Sequence, residues 1–179
     1  MKNFKNVLLA ALIATSFSAT ADLGDKLKRN WEETTGISKL YFGHSNETLN
    51  VGVSHERRKG SLGWDVMLLS SGDNGEEDSI ARKDRQQIIS TSLVHHLRDG
   101  SNADVFLATG AAAIRHVDVE IDDDEEDVTS FGPTFKIGSN YYFNSDWSAG
   151  LEYMTFLNWT SDDVQREDAF GFLSIGYTY

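Results

Sequence analysis

Along most of the chain, apolar and polar residues alternate one for one. Period-two alternation is the signature of β-strands with one apolar face. It is cleanest at the end, in Ala169–Tyr179. Leu173, Ile175, Tyr177 and Tyr179 fall on one side there, and Ser174, Gly176 and Thr178 on the other. Thr48–Arg57 sets Leu49, Val51 and Val53 against Asn50, Gly52, Ser54 and Glu56. Ser61–Ser71 sets Leu62, Trp64, Val66 and Leu68 against Gly63, Asp65 and Met67. Val128–Phe143 collects Phe131, Phe135, Ile137, Tyr141 and Phe143 on one side. Trp147–Trp159 sets Leu151, Tyr153 and Leu157 against Ser148, Gly150, Glu152 and Asn158. Ile37–Ser45, Arg85–Leu97 and Ala103–Val117 read as three more strands, the last with faces that Gly110-Ala111-Ala112-Ala113 leaves unassigned.

The predicted connections sort by length. Those after the second, fourth and sixth strands are short: Arg58-Lys59-Gly60, Arg98–Asn102 and Asn144-Ser145-Asp146. Those after the third, fifth and seventh are long and acidic: Gly72–Asp84, Asp118–Asp127 and Thr160–Asp168. Only the first, at Asn46-Glu47, is short where a long one is expected. Membrane β-barrels have short periplasmic turns and longer outer loops. A spanning strand takes about 9–11 residues, so eight use roughly 80 and fit, whereas twelve would leave too little for their connections. The predicted fold class is all-β: an eight-stranded antiparallel up-and-down transmembrane β-barrel with a short N-terminal amphipathic helix. Pro133 cannot donate to a ladder, so a bulge or the true strand start is expected there.

The N-terminus adds a compartment. Lys2 and Lys5 precede the apolar run Val7–Ala14, and Ala19-Thr20-Ala21 is a small-x-small cleavage pattern. These features predict a signal peptide over 1–21. An amphipathic helix is predicted over 22–36, with Leu23, Leu27 and Trp31 on one face, and the barrel over 37–179. No later run is apolar and long enough for a membrane helix. Without Lys2 and Lys5 the formal charge falls from −12 to −14, which excludes a nucleic-acid partner because phosphate binding needs a basic surface. With no cysteine, the exported chain must be held by packing, hydrogen bonding and closure of its edges.

From Leu93 to Tyr179 the order of strand, short turn, strand, acidic loop and aromatic-tipped end resembles the small eight-stranded outer-membrane proteins of the OmpX and OmpA type. Phe131-Gly132-Pro133-Thr134-Phe135-Lys136-Ile137-Gly138 and Trp147-Ser148-Ala149-Gly150-Leu151-Glu152-Tyr153 carry most of the likeness. The resemblance implies the outer membrane of a Gram-negative bacterium. It also implies a monomer, contacts with outer-membrane lipid and lipopolysaccharide, and assembly-machinery recognition of the aromatic-ended last strand. Such barrels host adhesins, anchors and enzymes alike, so the likeness specifies architecture and leaves activity open.

Three constellations carry candidate chemistry. Glu56, Asp65, Lys136 and Glu152 are expected in the lumen, with Arg115 or His116 from the ambiguous strand. A turn centred on Ser145 places Lys136 opposite Met154 and diagonal to Glu152, so a Lys136–Glu152 bridge is expected. The acidic stretch has eight carboxylates within Asp118–Asp127, including Asp122, Asp123, Asp124, Glu125, Glu126 and Asp127. It reads mainly as a solvated loop and alternatively as a loose Ca²⁺ or Mg²⁺ site; no resident cofactor is expected. His44, Asp78 and Ser79 are placed by the layout on the outer rim and resemble the set of lipid A palmitoyltransferase, the enzyme alternative. A non-enzymatic barrel is the favoured expectation and a narrow solute channel a further one. Trp147, Tyr177 and Tyr179 are expected in the periplasmic-side girdle.

Overall fold

The computed structural model describes residues 33–45, 48–73, 85–97, 102–121, 124–160 and 167–179. It contains eight strands: β1 Thr35–Ser45, β2 Thr48–Lys59, β3 Leu62–Asp73, β4 Arg85–His96, β5 Ala103–Ile121, β6 Asp124–Tyr142, β7 Trp147–Leu157 and β8 Glu167–Thr178. The expected signal peptide and positions 22–32 of the expected helix lie outside the described residues. Thr35 and Gly36, also expected in that helix, belong to β1.

Each strand pairs antiparallel with the next, and β8 returns to β1 to close the barrel. The seam is completed by the last residue: Gly36 and Tyr179 exchange backbone N–H···O bonds of 2.9 Å each. Closure pairs β1 with both β2 and β8, so neither terminal strand presents a free edge along the barrel wall. One end has tight turns. Gly60 supplies φ +61° between β2 and β3. Asn144 Oδ1 accepts the amides of Asp146 and Trp147 at 2.8 Å between β6 and β7.

Alternation fixes the faces. Outward side chains form an apolar wall that includes Leu40, Val51, Val53, Leu68, Ile89, Leu93, Phe135, Leu151 and Leu173. Inward ones are buried. β5 resolves likewise: Phe106, Ala108, Ala112, Ile114 and His116 face the lumen, and Arg115 faces out. Small residues on both faces hid this in the sequence.

Two expectations change. Asp118–Asp127 is not a loop in its described part. β5 and β6 run on to Ile121 and Asp124, pairing Val119 with Glu126 and Glu120 with Glu125 past a register shift between His116 and Val119. There Val117, Val119 and Ile121 alternate with Asp118, Glu120 and Asp122, a strand period that the density of carboxylates conceals, and local antiparallel pairing satisfies the backbone. Pro133 makes neither a bulge in β6 nor its start. The β6–β7 pairs stop at Thr134↔Phe156, next to it. The Phe131 amide donates to Thr160 Oγ1 (2.8 Å) and its carbonyl accepts from Trp159 N (3.0 Å). By the period of two, the missing Pro133 amide falls on that same side, where the ladder ends.

Candidate functional site

The lumen of eight strands is just wide enough for side chains to fill. Here it is filled in two layers. Towards the tight-turn end lies a charged layer to which every strand contributes. Lys39 (β1) donates to Glu152 Oε1 (β7) at 2.7 Å. The same carboxylate accepts from Tyr41 and from Ser174 (β8), both at 3.2 Å. Lys136 (β6) donates to Asp65 (β3) at 2.5 Å and stands 3.9 Å from Glu152 Oε2. Lys39 Nζ also lies 4.7 Å from the centre of the Phe106 ring.

Nearer the turns is a second group. Arg58 (β2) donates from Nη1 to Asp104 (β5) at 3.0 Å and from Nε to the Gly60 carbonyl at 2.9 Å. His96 (β4) lies between two carboxylates. Its Nδ1 is 2.6 Å from Asp104 Oδ2, and its Nε2 is 2.7 Å from Glu56 Oε1. An imidazole donates from both nitrogens only when protonated, so this geometry is that of an imidazolium. The layer then holds four cations, Lys39, Arg58, His96 and Lys136, against four carboxylates, Glu56, Asp65, Asp104 and Glu152. Buried charge is tolerated only when so matched.

Towards the other end the filling turns apolar. Met67, Leu69, Ile88, Ile114, Met154, Phe156, Phe170 and Phe172 pack with Tyr41. Phe170 and Phe172 stack at 6.1 Å, and Phe172 meets Tyr41 edge-on at 5.6 Å.

The four lumen residues named from the sequence lie in the charged layer. Lys136 does pair in register with Met154, but its shortest bond goes to Asp65, and Glu152 is held first by Lys39. The sequence reading missed Lys39, Arg58, His96 as an ion-pair member, and Asp104. Arg58 belongs to the expected turn Arg58-Lys59-Gly60, yet counting in twos from Glu56 places it inward, where it is buried. His95 and His96 take opposite faces, out and in.

Of the enzyme trio, His44 is the penultimate residue of β1, on the outward face and paired in register with Gly171 of β8. Asp78 and Ser79 lie outside the described residues. Of the acidic set, Asp122 and Asp123 lie outside them, and Asp124, Glu125 and Glu126 begin β6. Asp127 is engaged by Arg115 at 2.5 Å on the outward side. Among the described residues no three His, Cys, Asp or Glu converge as a metal site. At the tight-turn end the Trp147 and Tyr177 rings are 5.1 Å apart, and Tyr177 and Tyr179 are 6.2 Å apart. Tyr179 also stacks on His55 at 6.0 Å.

No protein-family model matches the chain, and no curated protein matches it in sequence. Solved structures do. The N-terminal β-barrel domain of Pseudomonas aeruginosa OprF superposes with TM-score 0.65 at 10% identity, over 82% of this chain and 100% of that one. Neisserial surface protein A gives 0.57 at 15% identity over 81% and 94%. The outer membrane protein OprG of Pseudomonas aeruginosa gives 0.57 at 10% identity over 87% and 98%. The chain therefore has the fold of the small eight-stranded outer-membrane β-barrels.

Proposed function

We propose that the protein is an integral outer-membrane barrel of a Gram-negative envelope, and that its lumen is a structural closure and not a path for solute. It acts through the acidic hairpin and loops at its outer end, in envelope integrity or surface interaction, without catalysis. The observation that carries this reading is the two-layer filling of the lumen. Four cations and four carboxylates drawn from seven strands, with Ser174 from the eighth, tie the walls together below an apolar plug. Supporting it are the outward apolar wall, the aromatic rim at the tight-turn end and the fold shared with outer-membrane barrels. The tight turns then face the periplasm, and lipid and lipopolysaccharide surround the wall. The last strand, ending on Tyr179, is the segment offered to the assembly machinery.

Fractionation of cells expressing the full chain tests the placement. The protein should sediment with outer membranes, migrate faster on a detergent gel unheated than boiled, and keep its barrel under protease applied to intact cells. A soluble periplasmic product would end the reading. Lipid A mass spectra with and without the gene should be identical; a gene-dependent change in acylation would restore catalysis at the outer rim.

A further inference from the structure

The wall at the tight-turn rim is divided. On β6 to β8 its outward residues are aromatic: Tyr141, Phe143, Trp147 and Tyr177. On β2 to β4 they are donors and cations: Arg57, Lys59 and His95, all exposed, beside Leu62 and Trp64. Strand register assembles them. Lys59 pairs with Leu62, and Leu62 with His95. Arg57 pairs with Trp64, and Trp64 with Leu93, two residues further up the wall. The whole chain carries −12. Yet the ion pairs of the described residues are made by Lys39, Arg58, His96, Arg115 and Lys136, so Arg57 and Lys59 have no carboxylate partner among them. The outward Arg115, at the opposite end, is matched by Asp127.

Beside His95 the wall is hollowed. A depression of about 540 Å³ lies between Leu62, Leu93, Leu107, Thr109 and Phe135. Its floor rises from His95 along register pairs, His95↔Leu107 and Leu93↔Thr109, into the apolar band. A cationic rim below an apolar groove matches a molecule with an anionic head and a hydrocarbon tail.

We infer that Arg57, Lys59 and the adjoining groove bind an anionic phospholipid of the periplasmic leaflet. Its phosphate sits against the guanidinium and ammonium, with His95 a further hydrogen-bond partner and Trp64 at headgroup depth. One acyl chain occupies the groove. Guanidinium binds phosphate oxygens in a fork, and an unpaired Lys or Arg at a membrane surface favours anionic over zwitterionic lipid. A zwitterionic headgroup brings its own cation to the same place and gains less. The aromatic side of the rim has no such charge to offer. This site rests on the proposed outer-membrane placement.

The experiment uses the full mature chain in nanodiscs of phosphatidylethanolamine with a minor share of phosphatidylglycerol. Lipids retained after transfer to mild detergent are measured by native mass spectrometry. Wild type should retain phosphatidylglycerol well above its share. The double variant R57Q/K59Q should lose that enrichment by about tenfold, while R57K/K59R keeps most of it and R115Q keeps all of it. The heat-dependent gel shift, run on every variant, confirms a folded barrel. Equal enrichment in wild type and R57Q/K59Q, or none in wild type, overturns the site while leaving the placement intact. Failure of wild type to insert into bilayers overturns the placement and the site with it.

Discussion

Lys136 lies opposite Met154, but the bond that matters most to it crosses the lumen to Asp65. Removing one partner of a buried pair strands the other in low dielectric, which costs about 3–5 kcal/mol. Lys136→Met should therefore lower the urea unfolding midpoint sharply, and adding Asp65→Leu should recover most of the loss. An unrecovered double variant would mean that Lys136 acts mainly through Glu152, 3.9 Å away. Glycines give a second contrast at this scale. A Cβ on Gly171, in the outward face of β8, meets nothing within 4 Å. A Cβ on Gly110 runs into the Thr91 carbonyl and Ser92 Cα, backbone that cannot rotate away. Gly171→Ala should stabilise by about 0.5–1 kcal/mol through the lost freedom of the unfolded chain. Gly110→Ala should destabilise by about 1–3 kcal/mol through overpacking. Thermal or urea unfolding in detergent measures both. Gly171 is visible in the sequence as a gap in an apolar face, but nothing in the sequence tells whether a neighbour fills it.

At the scale of elements, the β5–β6 hairpin is the piece the sequence misrepresents. Among the described residues β4 pairs with β5 as far as Arg85↔Val117, and β7 with β6 as far as Thr134↔Phe156. Among the described residues, Val119, Glu120 and Ile121 of β5 pair with Glu126, Glu125 and Asp124 of β6. Deleting residues 118–127 should thus leave the heat-dependent gel shift and the unfolding midpoint unchanged. A lost shift would show that the barrel needs its extension. Arg115 and Asp127 are half-exposed on it, with side chains 53% and 41% accessible. Arg115→Gln should accordingly cost less than about 1 kcal/mol. Carboxylate-rich segments read as solvated loops because like charges repel. The register Glu120↔Glu125 shows that backbone pairing overrides this.

At the scale of the molecule, a barrel whose lumen is tied by charge below and plugged by Phe156, Phe170 and Phe172 above should hold no open aqueous path. Planar bilayers containing the refolded protein should show no steady conductance; stable single-channel steps would refute the closure. The strand number, the inward and outward faces of most strands and the end that bears the tight turns were all legible in the sequence. Each depends on side-chain period and turn chemistry, which are local. The register of Lys136 with Met154 was legible for the same reason, since one tight turn fixes it. Only the tertiary structure decided who pairs across the lumen. Lys39 finds Glu152 113 positions away, and Arg58 finds Asp104 46 away. Those meetings follow from the way the strands are staggered around the closed barrel, which sets the height of every inward residue on every other strand. No local pattern encodes that height, so the sequence named charges that must be matched and left their matching to the closure of the barrel.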